Sequence, residues 1–112
     1  MRKRRPAIVM SPPLPDRDKL CTIVPLSTTR PRALQPFNLE LVLDPPLPFP
    51  YDDSVMWVKA DMILTVAFHR LTLLTTRERD ADGARIYDER VLGGEIVAQI
   101  RSCMMVALGI EA

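Results

Sequence analysis

From Phe37 to Leu43 the chain alternates strictly: Phe37, Leu39, Leu41 and Leu43 fall on one side, Asn38, Glu40 and Val42 on the other. A period of two is the mark of a strand with one face on a core. Ala7–Met10 is a short β-branched apolar run closed by Ser11-Pro12-Pro13, which predicts a buried strand. Cys21–Leu26 predicts a second strand. Pro25, which has no N–H, marks there an edge, a bulge or the strand's end. Val55–Leu74 is apolar and rich in Val, Ile, Phe and Thr; two short strands joined by a bend suit it better than one helix. Strands near Leu71–Thr76 and Arg85–Val91 are expected to form a hairpin turning at Asp82-Gly83, since both residues tolerate positive φ. Glu95–Leu108 carries Ile96, Ile100, Cys103, Met104, Ala107 and Leu108 at helical spacing, with Gly109 as its stop.

The segments between are loops: 12–19 with turn chemistry at Pro15-Asp16, a polar and basic 27–36, and an extended Asp44–Pro50 connector (DPPLPFP). The order of elements predicts a mainly β fold with a C-terminal helix, an α+β chain forming one domain over residues 1–112.

Composition adds an asymmetry. All 11 prolines lie at or before Pro50. Residues 1–35 hold eight Lys/Arg and two Asp, a net of +6; residues 36–112 hold seven Lys/Arg and twelve Asp/Glu, a net of −5. The basic front half is a candidate surface for a polyanion such as RNA, or else a solvated charged terminus. Cys21 and Cys103, with a lone His69, offer no metal-ligand spacing, so neither a cofactor nor a metal is expected. No apolar run reaches membrane-spanning length, and no membrane role is expected.

Three blocks then stand out. They are Arg4-Arg5-Pro6-Ala7-Ile8-Val9-Met10-Ser11-Pro12, Thr22-Ile23-Val24-Pro25-Leu26-Ser27-Thr28-Thr29, and Trp57 through Val66 followed by Arg70-Leu71. In this order, with a terminal helix ending in Ala107-Leu108-Gly109, the chain resembles the MazF/PemK family of toxins of type II toxin–antitoxin systems. The resemblance implies a small SH3-like barrel of the MazF/PemK/CcdB type that forms a homodimer in the bacterial cytoplasm. It implies metal-independent, sequence-specific cleavage of single-stranded mRNA by attack of the 2′-hydroxyl, and a cognate antitoxin protein as partner. Arg5 matches the family's catalytic Arg, and Ser27 stands where the family carries its catalytic Thr.

The remaining candidates follow from placement. Arg4, Ser11, Thr28, Thr29, Arg30 and Lys59 are candidate RNA contacts. For each the competing reading is ordinary: capping and turning for the hydroxyls, a strand-end hydrogen bond for Ser11, and solvated charge for Arg4, Arg30, Arg32 and Lys59. His69, as an imidazole, is a possible general base but matches no catalytic position of the family. Trp57, Phe68 and Tyr51 can stack bases, or pack in the core.

The family usually opens with a Pro-Gly-Asp strand and a loop that often bears a Glu, and here Met1 stands four residues before Arg5. That strand and loop are therefore expected to be missing. Met62, Leu64 and Ala67 replace a common Gln, basic residue and Asp, which removes polar groups from the RNA side. Two alternatives accompany the ribonuclease: a non-catalytic binding toxin of the same fold, akin to gyrase inhibitors, and a truncated inactive member.

Overall fold

The structure is a computed structural model that describes residues 4–11, 15–16 and 19–110. Arg2, Lys3, Pro12 and Pro13, on which part of the basic terminus and the first strand's proline stop depend, lie outside the described residues. Seven strands precede one helix: β1 (Ala7–Val9), β2 (Leu20–Ser27), β3 (Asn38–Val42), β4 (Val55–Lys59), β5 (Leu64–Ala67), β6 (Thr75–Arg79), β7 (Arg85–Tyr87) and α1 (Gly94–Ala107). The chain is mainly antiparallel β with one C-terminal helix, as the alternation and the terminal periodicity require.

β2 organises the sheet. One of its edges carries β1; the other carries β5 along its first half and β4 along its last two residues, with β3 outside β4. A single long strand shared between two smaller sheets is how a barrel of SH3 type is assembled. Among the described residues no ladder joins β1 to β3, so the sheet is open there.

Pro25 lies inside this central strand, and the ladder explains why it is tolerated. Met10 and Leu26 donate to Thr22 and Pro6 at 2.8 and 2.9 Å, so even-numbered residues of β2 bond toward β1. The odd-numbered ones bond toward β5 and β4, and Pro25 falls in the gap between them. There the chain turns through Ala60–Ile63, with Met62 N–H closing onto the Lys59 carbonyl at 2.9 Å. The missing donor sits where no acceptor waits. Pro25 thus takes none of the three roles expected of it: it lies inside β2, where the ladder to the neighbouring strands is interrupted.

Alternation then sorts side chains. Val24, Leu26, Leu41, Met56 and Val58 face the core with Leu43, Leu47 and Ile100, and Ile8, Leu39, Ile96 and Met104 pack around them. β3 keeps its predicted polarity: Leu41 is buried while Val42 is 61% exposed. β1 departs from prediction. It is an edge strand, not a buried one: only Ile8 turns inward, and Ala7 and Val9 face outward. A three-residue strand with one neighbour has one face and one edge to bury.

Three further expectations are corrected. The 44–50 connector is bent, with cis bonds before Pro45 and Pro50, and Leu47 is anchored in the core. The hairpin strands are shorter than expected and stand apart as their own two-stranded sheet. Their connection spans Asp80–Ala84; of its residues Gly83 alone takes positive φ (79°), so Asp82 does not share that role. The Asp80 carboxylate accepts the N–H groups of Asp82 and Ala84, each at 2.9 Å, beside the backbone bonds Asp80 N–H to Ala84 and Gly83 N–H to Asp80 that close the turn.

The helix runs as expected, with Ile100 and Cys103 buried, and packs on β3. Leu108, assigned to its apolar face, is exposed at the C-cap. Gly109, at φ 75°, donates to Val106, and Ile110 N–H returns to the Met105 carbonyl. This paired arrangement satisfies the last carbonyls of the helix.

Candidate functional site

The β1–β2 register decides the site. Ala7 faces Pro25 and Ile8 faces Val24, and the Leu26 N–H to Pro6 carbonyl bond carries the ladder one step further. Arg5 lies outside β1; extrapolated one step beyond that last bond, the register would set it opposite Ser27. Directly opposed residues share a face, with Cβ atoms about 4.5–5.5 Å apart in a regular ladder. Twenty-one residues lie between these two in sequence; on the extrapolated register the hairpin would bring them side by side on the face that turns away from the core.

The row continues across the sheet. Ser27 pairs with Trp57, and Trp57 pairs with Glu40. Arg5, Ser27, Trp57 and Glu40 therefore form one line across β1, β2, β4 and β3. Lys59, paired with Asn38, stands in the next line on the same face. Trp57 is only 7% exposed, yet it does not belong to the main core cluster. The Arg30 guanidinium lies over its ring at 5.9 Å from the centroid. The 28–37 loop that delivers Arg30 is closed at its far end by a reciprocal turn: Asn38 N–H to the Gln35 carbonyl, and Gln35 N–H to the Asn38 side chain, both 2.9 Å.

The hydroxyls divide. Ser27 Oγ accepts the Thr29 N–H at 3.1 Å, which leaves its own proton free to donate outward. Thr28 and Thr29 are exposed in the loop immediately after it. Ser11 Oγ accepts the Thr22 N–H at 2.8 Å, extending the β1–β2 ladder past the end of β1. It stands at the opposite end of the hairpin from Arg5, in the strand-end role, and is not brought to the row. Arg4 is one residue out of step with Arg5, so alternation directs it to the other side, where the Tyr51 hydroxyl donates to its backbone carbonyl at 3.5 Å. Of the residues singled out in the sequence, Ser27 and Lys59 share one face, Arg30 reaches it over Trp57, and Thr28 and Thr29 lie in the exposed loop that follows Ser27; the extrapolated register adds Arg5, and Ser11 stands at the other end of the hairpin.

Charge on this face is uncompensated. Among the described residues the one ion pair is Arg90–Asp88, on the far side of the chain order. Arg5, Arg30 and Lys59 have no carboxylate within 4 Å among those residues, and they are available to an anion. No polar side chain is buried among the described residues, so these groups meet solvent. Cys103 is no nucleophile here: it lies in the helix, and burial pushes its thiol above the ordinary range. His69 is exposed in a short 3₁₀ turn, Phe68–Arg70, beyond β5. Among the described residues no three His, Cys, Asp or Glu side chains come together as a set of metal ligands, and no helix is long and apolar enough to cross a membrane.

Leu64 pairs with Ile23, and Ile23 with Val9, two lines from Arg5 on the same face. Leu64 and Val9 are each about half exposed (51% and 49%), so the substitutions noted in the third block leave an apolar margin beside the row. Sequence reading missed both the Trp57–Arg30 contact and the position of Glu40. Alternation had put Glu40 on the polar side of its strand; it held no information on which strand would lie alongside.

The fold is thus a mainly antiparallel β structure with a terminal helix. The family model of PemK-like, MazF-like toxins of type II toxin–antitoxin systems matches residues 1–87, and the chain belongs to that family. No curated protein matches the chain.

Proposed function

We propose that the chain is the endoribonuclease toxin of a type II pair, acting on single-stranded RNA in the bacterial cytoplasm and held silent by a cognate antitoxin. The observation that carries this reading is membership of the toxin family; the β1–β2 register, extrapolated one step to put Arg5 opposite Ser27, supports it.

RNA brings its own nucleophile. The 2′-oxygen attacks the adjacent phosphorus as its proton passes to solvent, the bond to the 5′-oxygen breaks as that oxygen takes a proton from solvent, and the products are a 2′,3′-cyclic phosphate and a 5′-hydroxyl. The negative charge grows on the non-bridging oxygens as the phosphorus becomes five-coordinate. Arg5 is suited to that charge: its planar fork donates two parallel hydrogen bonds and stays protonated, so its role is electrostatic and it is not a base. Ser27, with Oγ anchored by the Thr29 amide, donates its proton to the same group and fixes its orientation. Ser retains the donor that a Thr would supply. Arg30, Lys59, Thr28 and Thr29 hold the flanking backbone. A second copy of the chain, as in the family, completes the groove.

The test is incubation of the full chain with a long single-stranded RNA in EDTA, beside its Arg5→Ala variant. Discrete cuts ending in cyclic phosphate, lost in the variant, are expected. Cuts that persist unchanged in Arg5→Ala remove Arg5 from the mechanism. Absence of cuts from a cooperatively folded parent, with inhibition of gyrase supercoiling instead, would replace the ribonuclease by a binding toxin.

A further inference from the structure

Glu40 is the one acidic member of the row, and the mechanism above has no use for it. It is exposed, its side chain shares the face of Ser27 and Trp57, and among the described residues it pairs with no cation. A carboxylate left unpaired on a face of free cations weakens that face for any polyanion, by simple repulsion. A solvated strand position would account for Glu40 anywhere else on the sheet. In line with Arg5 and Ser27 it calls for a partner that offers hydrogen-bond donors.

The spacing says what the partner is. Neighbouring strands lie about 4.8 Å apart, so Glu40 stands about 10 Å from Ser27, with β4 between. One nucleotide, from its phosphate to the far edge of its base, spans a comparable distance. Between the two ends stands Arg30, its guanidinium seated on Trp57 and its outer face open to solvent. Guanidinium planes stack on unpaired bases, and one already held over an indole has less freedom to lose on doing so.

We propose that the row is the footprint of one nucleotide and that Glu40 selects its base: Arg5 and Ser27 take the phosphate, Arg30 on Trp57 stacks the base, and the Glu40 carboxylate reads its edge. A carboxylate only accepts. Guanine is the base that presents two adjacent donors, N1–H and the exocyclic amine, on its Watson–Crick edge. Cytosine and adenine each set one amine beside an acceptor nitrogen, and uracil sets one N–H between two carbonyls. The two carboxylate oxygens match guanine and meet lone pairs on the others. Glu40 is a specificity residue, not a catalytic one. This rests on the ribonuclease reading for its substrate class but not for its test.

The test uses short oligouridylates with a single G, A, C or U in the middle, made with 2′-O-methyl sugars so that binding is read without cleavage. Anisotropy titrations of the full chain are run beside Glu40→Gln and Glu40→Ala. The parent should bind the G oligonucleotide at least about tenfold more tightly than the A, C or U ones, as a bidentate contact gives. Both variants should lose that preference while keeping or improving affinity for the all-U strand. Since Glu40 is exposed, their melts should match the parent's. A parent without G preference, or variants that retain it, overturns the proposal. The same oligonucleotides with one 2′-hydroxyl restored separate the two readings. Glu40-dependent G preference without cutting keeps base selection and removes catalysis. Cutting with an identical base profile in parent and variants does the reverse, and no binding at all removes both.

Discussion

If Arg5 and Ser27 act on one phosphate, their losses must not add. The register sets them on the same face in directly opposed positions, one strand apart. That separation lets a guanidinium and a hydroxyl converge on oxygens of a single phosphorus. Removing one preorganised donor from a developing oxyanion costs about 10²–10³ in rate, and more for a charged donor than for a neutral one. Arg5→Ala should therefore lose about 10³, and Ser27→Ala about 10–10² because its donor is neutral. Independent sites would give the product, about 10⁴–10⁵, in the double variant. Shared work on one phosphate gives less: once Arg5 is gone the phosphate is no longer held, and Ser27 has little left to orient. We expect the double variant to fall within about threefold of Arg5→Ala, well short of the measured Ser27→Ala loss multiplied in. The assay is single-turnover cleavage of a fluorogenic single-stranded RNA at saturating enzyme, so that binding losses do not enter. Full multiplicativity would refute the shared site, and with it the meaning assigned to the register.

Two further predictions concern stability. Arg90 bonds both oxygens of Asp88, with Nη2–Oδ2 at 2.7 Å, and also donates to the carbonyls of Pro45 and Pro46, so it ties the end of the hairpin to the proline connector. Its side chain is a quarter exposed, which discounts the 3–5 kcal/mol of a fully buried pair; Arg90→Ala should cost about 1–3 kcal/mol, a fall in Tm of roughly 5–15 °C by far-UV CD. The Arg90 hydrogen bond holds the Asp88 carboxyl below its ordinary 3.8, so this contribution is present above that pH and is lost as pH falls through the lower folded value. The acid limb of the stability profile should accordingly flatten in Arg90→Ala, and an unchanged limb would show the pair to be idle. Met56 is 1% exposed at the centre of the core, and Met56→Ala should cost about 2–5 kcal/mol in urea melts; a loss under about 1 kcal/mol would mean the core collapses around the gap.

Much of this molecule was open to local reading. The alternation of Phe37–Leu43, the bend between two strands after Val55 and the amphipathic Glu95–Leu108 each depend on neighbours a few residues away, and all three elements formed. Arg5 and Ser27 could be named because they sit in blocks resembling those of the toxin family. Their adjacency could not, because it depends on a ladder between strands whose register is chosen by burying Ile8, Val24 and Leu26 together. The same holds for the failures. β1 looked buried because its residues are apolar, but an edge strand hides only the side that meets the core. Ser11 had two readings, an RNA contact and a strand-end hydrogen bond, and the hairpin gives it the hydrogen bond to Thr22. Pro25 was expected at an edge, a bulge or a strand's end, and the gap between β4 and β5 instead let it sit inside β2. The sequence by itself determined the elements, the polarity of their faces and the basic character of the front half. The tertiary structure decided which faces meet, and so it alone drew the line from Arg5 to Glu40. Hydrophobic periodicity is a property of one segment, whereas register is a property of two.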